Sequence, residues 1–575
     1  MVKMSDMSSS QARAEVWARL SQSWDLIVVG GGITGAGILR EATRAGLKAL
    51  LIEQKDIAWG TSSRSSKLVH GGLRYLAQGH VLLTYHAVRE RERLIREGPG
   101  LVDRLDFMLA SYTGDRPSIW IFGVGLLAYD LLAGCWDHEY HGAKAFGEQV
   151  PQLDRHGLAG GFRYHDAQTD DSRLVLRVMR EAVDAGGTVL TYAPATELIL
   201  EGGQAVGVRV KDMAGSGQVA ECRARAVINA TGVWADRLRQ QVKAPPRMRP
   251  LRGSHLIFSA ERLPVKEAFT LQHPIDHRVM FVFPWEEMTV VGTTDLDHDL
   301  PLDEEPSISA QEVAYLMAAV EARFPTMRIT LDDIISSYSG VRPVVNSGKA
   351  DPSKETRDHV VWSEDGLITV TGGKLTTFRL IARDALKVAG QRLPGFKMPK
   401  QNLPLLNRME TTGDGWGSLP EGERRRLAGK YGADALKLIQ AAQPGELERI
   451  PGCNVLWAEL RWAARSEWVV HLDDLLLRRV RLGLLVPAGG QAFLPRIRAI
   501  CQAELGWDDA RWQREEGEYL ERWRKHYSVP EASLIPDWRV MLAQSQAIWR
   551  PRAPELAAGA VSTASPAPAP AHARD

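Results

Sequence analysis

The sequence predicts an α/β chain in which a nucleotide-binding unit is interleaved with an antiparallel sheet and followed by an all-α domain. Three observations carry this. Residues 25–37 read DLIVVGGGITGAG, an apolar strand running into a glycine-rich turn and a helix. Between residues 251 and 295 the runs HLIF, VMFVFP and MTVVG alternate with turn residues, the pattern of an antiparallel sheet. Beyond Pro404 the turns give way to helical periodicity over residues 421–442, 455–485 and 494–527.

The first stretch is the most specific. Gly30, Gly32 and Gly35 fit G-x-G-x-x-G. The glycines permit a tight turn and let the backbone approach a pyrophosphate at the helix N-terminus. A second apolar run, residues 49–52, ends on Glu53, placed to accept hydrogen bonds from the ribose of an adenosine. This is a Rossmann-like strand–helix–strand unit. The motif by itself does not separate FAD from NAD.

A chain of 575 residues has room for two or three domains. Its 71 Lys and Arg balance 70 Asp and Glu, so no global field attracts nucleic acid, and any anion site is local. Cys135, Cys222, Cys453 and Cys501 lie far apart and form neither a disulfide framework nor a metal motif, as expected in a reducing compartment. Residues 1–23 lack the continuous apolar core of a signal peptide, and Ala12, Val16, Trp17 and Leu20 mark one face of a short helix.

In chain order, a helix is expected after Leu76, carrying Tyr85, Val88 and Leu94. The apolar residues 119–134 are too few for a comfortable membrane span and are interrupted by Asp130. The expectation is a buried helix. The alternative is a helix dipping into one leaflet, with Trp120, Phe122 and Tyr129 at headgroup level. Gly202-Gly203 marks a hairpin, and residues 224–232 a strand ending in Ala230-Thr231-Gly232. The acidic residues 295–305 carry Leu300 and Pro306 where a calcium loop needs Gly and Glu, so they are read as a solvated loop and no metal is expected. TGGKLTTFR follows the strand LITV and opens a helix, which aims backbone N–H groups at an anion or a flavin edge. Trp512, Tyr519, Trp523 and Tyr527 repeat at helical spacing, as core residues do. The Ala/Pro-rich residues 554–575 read as disordered.

Residues 60–76, GTSSRSSKLVHGGLRYL, have no helical or strand period, and on composition alone they are a polar surface loop. The string resembles, almost residue for residue, the corresponding segment of FAD-dependent glycerol-3-phosphate dehydrogenases of respiratory membranes. The resemblance recurs in GGGITGAG, NATG, RGSH, FVFPW with VVGTTD, YSGVRP, GGKLTTFR and residues 458–484. It implies a two-dinucleotide-type FAD-binding domain interleaved with an α+β substrate domain. It also implies oxidation of sn-glycerol 3-phosphate to dihydroxyacetone phosphate, with electrons passed to a quinone. The protein would then be cytoplasmic and peripherally attached to the cytoplasmic membrane, with a homodimer left open. FAD-binding segments are expected near residues 24–76, 160–245 and 335–395. Substrate-domain segments are expected near 77–159 and 246–334, and the helical domain at 401–545.

By the same resemblance, the cofactor residues are Gly30, Gly32, Gly35, Glu53, Thr61, Ser62, Ser63, Lys67, Leu73, Ala230, Gly232 and Thr376. The substrate residues are Arg74, Tyr75, His255, Arg342 and Lys374. A dianionic phosphate calls for the planar fork of Arg, which favours Arg74 and Arg342. Arg342 and His255 are the catalytic pair, and His255 is the expected general base because an unperturbed imidazole titrates near neutral pH. Three alternatives stay open: a related oxidase of glycerol phosphate or amino acids that reduces oxygen, a non-catalytic flavin-binding protein, and an NAD-dependent dehydrogenase, which would form NADH with substrate. Peroxide release identifies the first, and flavin that glycerol phosphate cannot bleach identifies the second.

Overall fold

The structure is a computed structural model that describes residues 9–72, 76, 81–113, 115, 119–134, 136–346, 348 and 358–549. Leu73, Arg74, Tyr75 and the tail at 554–575 lie outside the described residues.

Strand Ser23–Val29 is the centre of the first sheet. It pairs in parallel with Ala49–Ile52 on one side and Val219–Asn229 on the other. Thr188–Leu190 and Leu367–Gly372 extend the parallel sheet, and His359–Glu364 closes one edge antiparallel. A sheet buried on both faces needs a continuous apolar run rather than an alternating one. Leu26 and Val28 face helices Ile33–Arg44, Asp171–Asp184 and Phe378–Ala389. Ile27 and Val29 face the opposite layer, which holds Leu198, Leu238 and the N-terminal residues Val16 and Leu20. The N-terminal helix Ser9–Ala18 therefore packs on the body. The hairpin turns at Gly202 and Gly203, both left-handed (φ 56° and 78°), which glycine adopts at no steric cost.

The register aligns Val29 with both Ile52 and Asn229. The three strands therefore stop at one level, and Gly30, Glu53 and Ala230 meet Gly372, three residues further along its own strand, around one cavity. This is where ligands bind in open α/β sheets.

The second sheet has ten strands and is antiparallel except where Ala268–Gln272 joins Val102–Tyr112. Near one edge, Met248–Ser259 lies between Ile334–Val345 and Met288–Gly292. Leu68–Val69, Leu158–Thr169 and Ile334–Val345 all belong to this sheet. The sequence expectation put all three with the cofactor segments. Strand periodicity does not say which sheet a strand joins, so the boundaries move to where the chain crosses between sheets.

Helix Ile119–Ala133 overturns the buried reading. Leu126, Tyr129 and Asp130 face inward, but Trp120 (73% exposed), Ile121, Val124 and Leu131 face out. Asp130, the residue that interrupts the apolar run, is buried and accepts from the backbone N–H of Asp137 and from His138 Nδ1 at 2.6 Å. No helix among the described residues is long and apolar enough to cross a membrane.

The C-terminal region is helical but more broken than its periodicity indicates. Glu421–Tyr431 and Asp434–Ala441 separate at Gly432, and Leu494–Leu505 and Asp509–His526 separate at Gly506. Both glycines have positive φ. Trp512, Tyr519, Trp523 and Tyr527 are buried, as expected. The last helix, Trp538–Trp549, packs against the second sheet domain through Trp538 and Leu542 rather than against the other C-terminal helices.

Candidate active site

A cavity of ≈ 310 Å³ lies along the edge where the parallel strands end, lined by Gly30, Gly32, Glu53, Thr61, Ser62, Ala230, Gly232 and Gly373. Its shape depends on missing side chains. A Cβ on Gly30 would stand 2.4 Å from the Ala230 carbonyl oxygen, and one on Gly32 would meet Ser62 Oγ at 2.9 Å. Gly35 does not line the cavity. Its Cβ would lie 1.8 Å from the Gly30 carbonyl oxygen, so it sets helix against strand. Glu53 accepts from the backbone N–H of Gly31 (2.6 Å) and Lys55 (2.8 Å). Burial pushes its carboxyl up, and these two N–H groups oppose the shift. Ser62 Oγ accepts from Ile33 N–H at 3.0 Å.

A second cavity of ≈ 600 Å³ adjoins the first, sharing Thr61, Ser65, Pro343, Gly373, Lys374 and Leu375. One wall is polar and carries Ser66, His70, Arg278, Thr293, Asp295, Arg342 and Thr376. The other is apolar, with Phe107, Leu109, Phe122, Tyr164 and Phe281, and it reaches the exposed helix through Ile121 and Gly125. Arg342 donates to Asp295 Oδ1 (2.9 Å), Thr293 Oγ1 (3.0 Å) and the Thr294 carbonyl. Thr376 Oγ1 donates to the His70 carbonyl at 3.2 Å.

Besides Gly35, three expected site residues stand outside both cavities. His255 does not line either cavity. It is 1% exposed, stacks on Tyr338 (centroids 4.5 Å apart) and places Nε2 2.9 Å from Ser66 Oγ, and Ser66 faces the second cavity. Burial, with Arg342 and Lys67 nearby, holds its pKa well below the ordinary value, so the unperturbed titration assumed from sequence does not apply. Lys67 is fully buried away from the cofactor cavity. Its ammonium donates to Asp171 (3.0 Å) and the Ser63 carbonyl, and burial with Arg481 lowers its pKa to about 8. Ser63 is buried and offers its carbonyl inward to Lys67 and Arg481.

The solvated-loop reading of residues 295–305 fails at both ends. Asp295 pairs with Arg342, and Glu305 is buried against Arg64 and Tyr527. Ser66, His70 and Asp295 were missed as site residues, although each lies in or closes a quoted motif. Also missed was a buried charge cluster that ties the loop after Glu53 to the C-terminal domain. Asp56 accepts from Arg478 Nε (2.5 Å) and from two nitrogens of Arg479 (2.6 Å each), and Arg481 donates to Ser63 O and Asp171.

Residues 25–379 match the family of FAD dependent oxidoreductases, and residues 386–512 match the C-terminal domain of alpha-glycerophosphate oxidase. The glycerol-3-phosphate dehydrogenase 2 of Mycobacterium tuberculosis is 36% identical over 537 residues, spanning 89% of this chain and 90% of the relative. The chain belongs to the FAD-dependent glycerol-3-phosphate dehydrogenase family. The aerobic glycerol-3-phosphate dehydrogenase of Bacillus subtilis is 34% identical over 486 residues, spanning 80% of this chain and 87% of its own. The solved glycerol-3-phosphate dehydrogenase of Bacillus halodurans, complexed with FAD, superposes with a TM-score of 0.73 at 26% identity and covers 90% of this chain and 98% of that one.

The cofactor of this family member is FAD, and the cradle fits it: Gly30 and Gly32 line the cavity in conformations that leave no room for a Cβ, and the Glu53 carboxylate lines it just beyond the second strand. Glu53→Ala is expected to weaken FAD binding by roughly 10–100-fold, since a hydrogen bond to a charged group contributes about 1.5–3 kcal/mol. Titration of the FAD-stripped variant checks this, and unchanged affinity would remove Glu53 from the site.

Proposed function

We propose that the protein oxidises sn-glycerol 3-phosphate to dihydroxyacetone phosphate with FAD as hydride acceptor, and passes the electrons to a quinone at the cytoplasmic membrane. The observation that carries this reading is the continuity of the two cavities: the cofactor cradle opens directly onto a wall bearing Arg342 and Lys374. FAD, when bound, supplies the redox chemistry. The chain supplies the rest. Arg342 binds the phosphate through its planar fork, and Lys374, with Arg74 and Tyr75, positions the substrate. The alcohol proton passes to Ser66 Oγ while the serine proton passes to His255 Nε2, which the lowered pKa keeps neutral and able to accept.

Anaerobic addition of glycerol 3-phosphate to the purified FAD-loaded protein should bleach the flavin. Persistence of the yellow colour, with dithionite still able to bleach it, would end the proposal. Peroxide formed during aerobic turnover, with no response to a quinone analogue, would replace the quinone with oxygen.

The apolar wall that runs from the second cavity to the exposed helix supports a lipid-soluble acceptor and a lipid-facing surface. The outer residues Trp120, Val124 and Leu131 would enter the headgroup region. Val124→Glu combined with Leu131→Glu is expected to reduce partitioning onto phospholipid vesicles by roughly tenfold or more, because each side chain contributes up to about 1.5–3 kcal/mol when buried. Neither residue lines the cofactor cradle or the second cavity, so flavin reduction should persist. Wild-type vesicle binding by the double variant would move the contact elsewhere.

A further inference from the structure

We infer that Arg278 is a further ligand for the anionic group of the substrate, coupled to Arg342 through Asp295, so that these two guanidinium groups hold it together. This rests on the reading above that the second cavity takes a phosphorylated alcohol.

The pairing of two strands brings the residues together. Val279–Trp285 and Met288–Gly292 form a tight antiparallel pair in which Phe281 lies opposite Gly292. Continuing that register past both strand ends sets Arg278 opposite Asp295. His277, in the left-handed region (φ 58°), turns the chain into the strand just before it. The side chains follow. Arg278 donates from both terminal nitrogens to the Asp295 carbonyl oxygen, at 3.1 and 3.2 Å, while Arg342 holds the Asp295 carboxylate at 2.9 Å. One residue thus tethers two arginines through two different oxygens, and both arginines line the same cavity.

The charges differ in a way that bears on binding. The Asp295 carboxylate pairs with Arg342. Arg278 meets only a neutral carbonyl there. Its other acidic neighbour, Asp276, lies 3.7 Å from Nε, is 39% exposed and accepts from the Tyr315 hydroxyl. Arg278 is itself 31% exposed, placing it at the mouth where a soluble anion arrives. An incoming dianion therefore meets a cation that no buried carboxylate among the described residues opposes, alongside one already aimed by Asp295. Two forks suit the three oxygens of a phosphate better than one.

The test is stopped-flow anaerobic flavin reduction in the full-length FAD-loaded protein, comparing wild type, Arg278→Gln and Arg278→Lys. Glycerol 3-phosphate and glycerol serve as substrates, with inorganic phosphate as competitor. Arg278→Gln should raise the half-saturating glycerol 3-phosphate concentration by roughly 10–100-fold, as loss of a charged hydrogen-bond partner does. The limiting reduction rate should stay near wild type, phosphate should compete more weakly, and glycerol saturation should not change. Arg278→Lys should recover part of the loss. Unchanged saturation by glycerol 3-phosphate, or an equal loss for glycerol, would overturn the inference. Failure of the wild type to be reduced at all would instead overturn the proposed substrate, an outcome visible before any variant is made.

Discussion

His255→Asn is expected to slow flavin reduction by glycerol 3-phosphate about 10²–10⁴-fold, the usual contribution of a positioned general base. The variant should keep its flavin spectrum, because His255 touches neither the Gly30 turn nor Glu53. Ser66→Ala should show a similar loss, since the hydroxyl stands between the imidazole and the cavity. The pH profile gives the sharper test. The base works when neutral, and burial, Arg342 and Lys67 hold its pKa well below 6.5. Its neutral form is therefore complete at pH 7, and the rate should stay level as pH falls through the ordinary histidine range, declining only at lower pH. Stopped-flow reduction across pH in wild type and variant decides the matter. A wild-type limb centred near neutrality, or a variant slowed less than tenfold, would assign the proton to another group.

Asp56→Asn is expected to destabilise the protein by about 3–5 kcal/mol, the cost of stripping one partner from a buried ion pair. Asp56 is fully buried and is the carboxylate partner shared by Arg478 and Arg479. Burial works against its charge, but Arg479 and Arg478 overcome that and hold its carboxyl below the usual range. The contribution is thus complete above an ordinary carboxylate pKa and is lost only as pH falls through the folded value, so at neutral pH the whole effect should appear. Because Asp56 lies three residues beyond Glu53, FAD should dissociate more readily as well. Denaturant unfolding of the holoprotein, with flavin fluorescence read in parallel, measures both. A stability change within about 0.5 kcal/mol, as for a surface substitution, would show the cluster contributes nothing net.

The two predictions rest on features that differed in how far sequence could reveal them. The Gly30–Glu53 unit was legible because strand, turn, helix and acid follow one another within thirty residues, and each carries its own local signal. Residues 60–76 were legible only as a matching string. Nothing local says that Ser66 and His70 face the cavity while Lys67, between them, turns inward to Asp171. That choice depends on Lys67 adopting φ 56° and on an acid a hundred residues away. His255 was identified by type, but its depth is set by Tyr338, from a neighbouring strand, and Ser66, from a distant loop. The 119–134 helix shows the limit of composition: an apolar run reads the same whether its neighbour is protein or lipid. The Asp56 cluster was invisible for a simpler reason. Its partners are more than four hundred residues apart, and charged residues in a sequence are by default read as solvent-facing.

That separation has a bearing on biogenesis. The segment at residues 56–67 is anchored by Arg478, Arg479, Arg481 and Tyr527. Domains emerging from the ribosome ordinarily finish in order, N-terminal first. Here Lys67 and Arg64 find Asp171 and Glu305 earlier in the chain, but Asp56 is synthesised more than four hundred residues before its partners Arg478 and Arg479. Completion of this edge of the cradle is therefore a late event in synthesis, and a nascent chain stalled before residue 478 would carry an unneutralised Asp56 beside it.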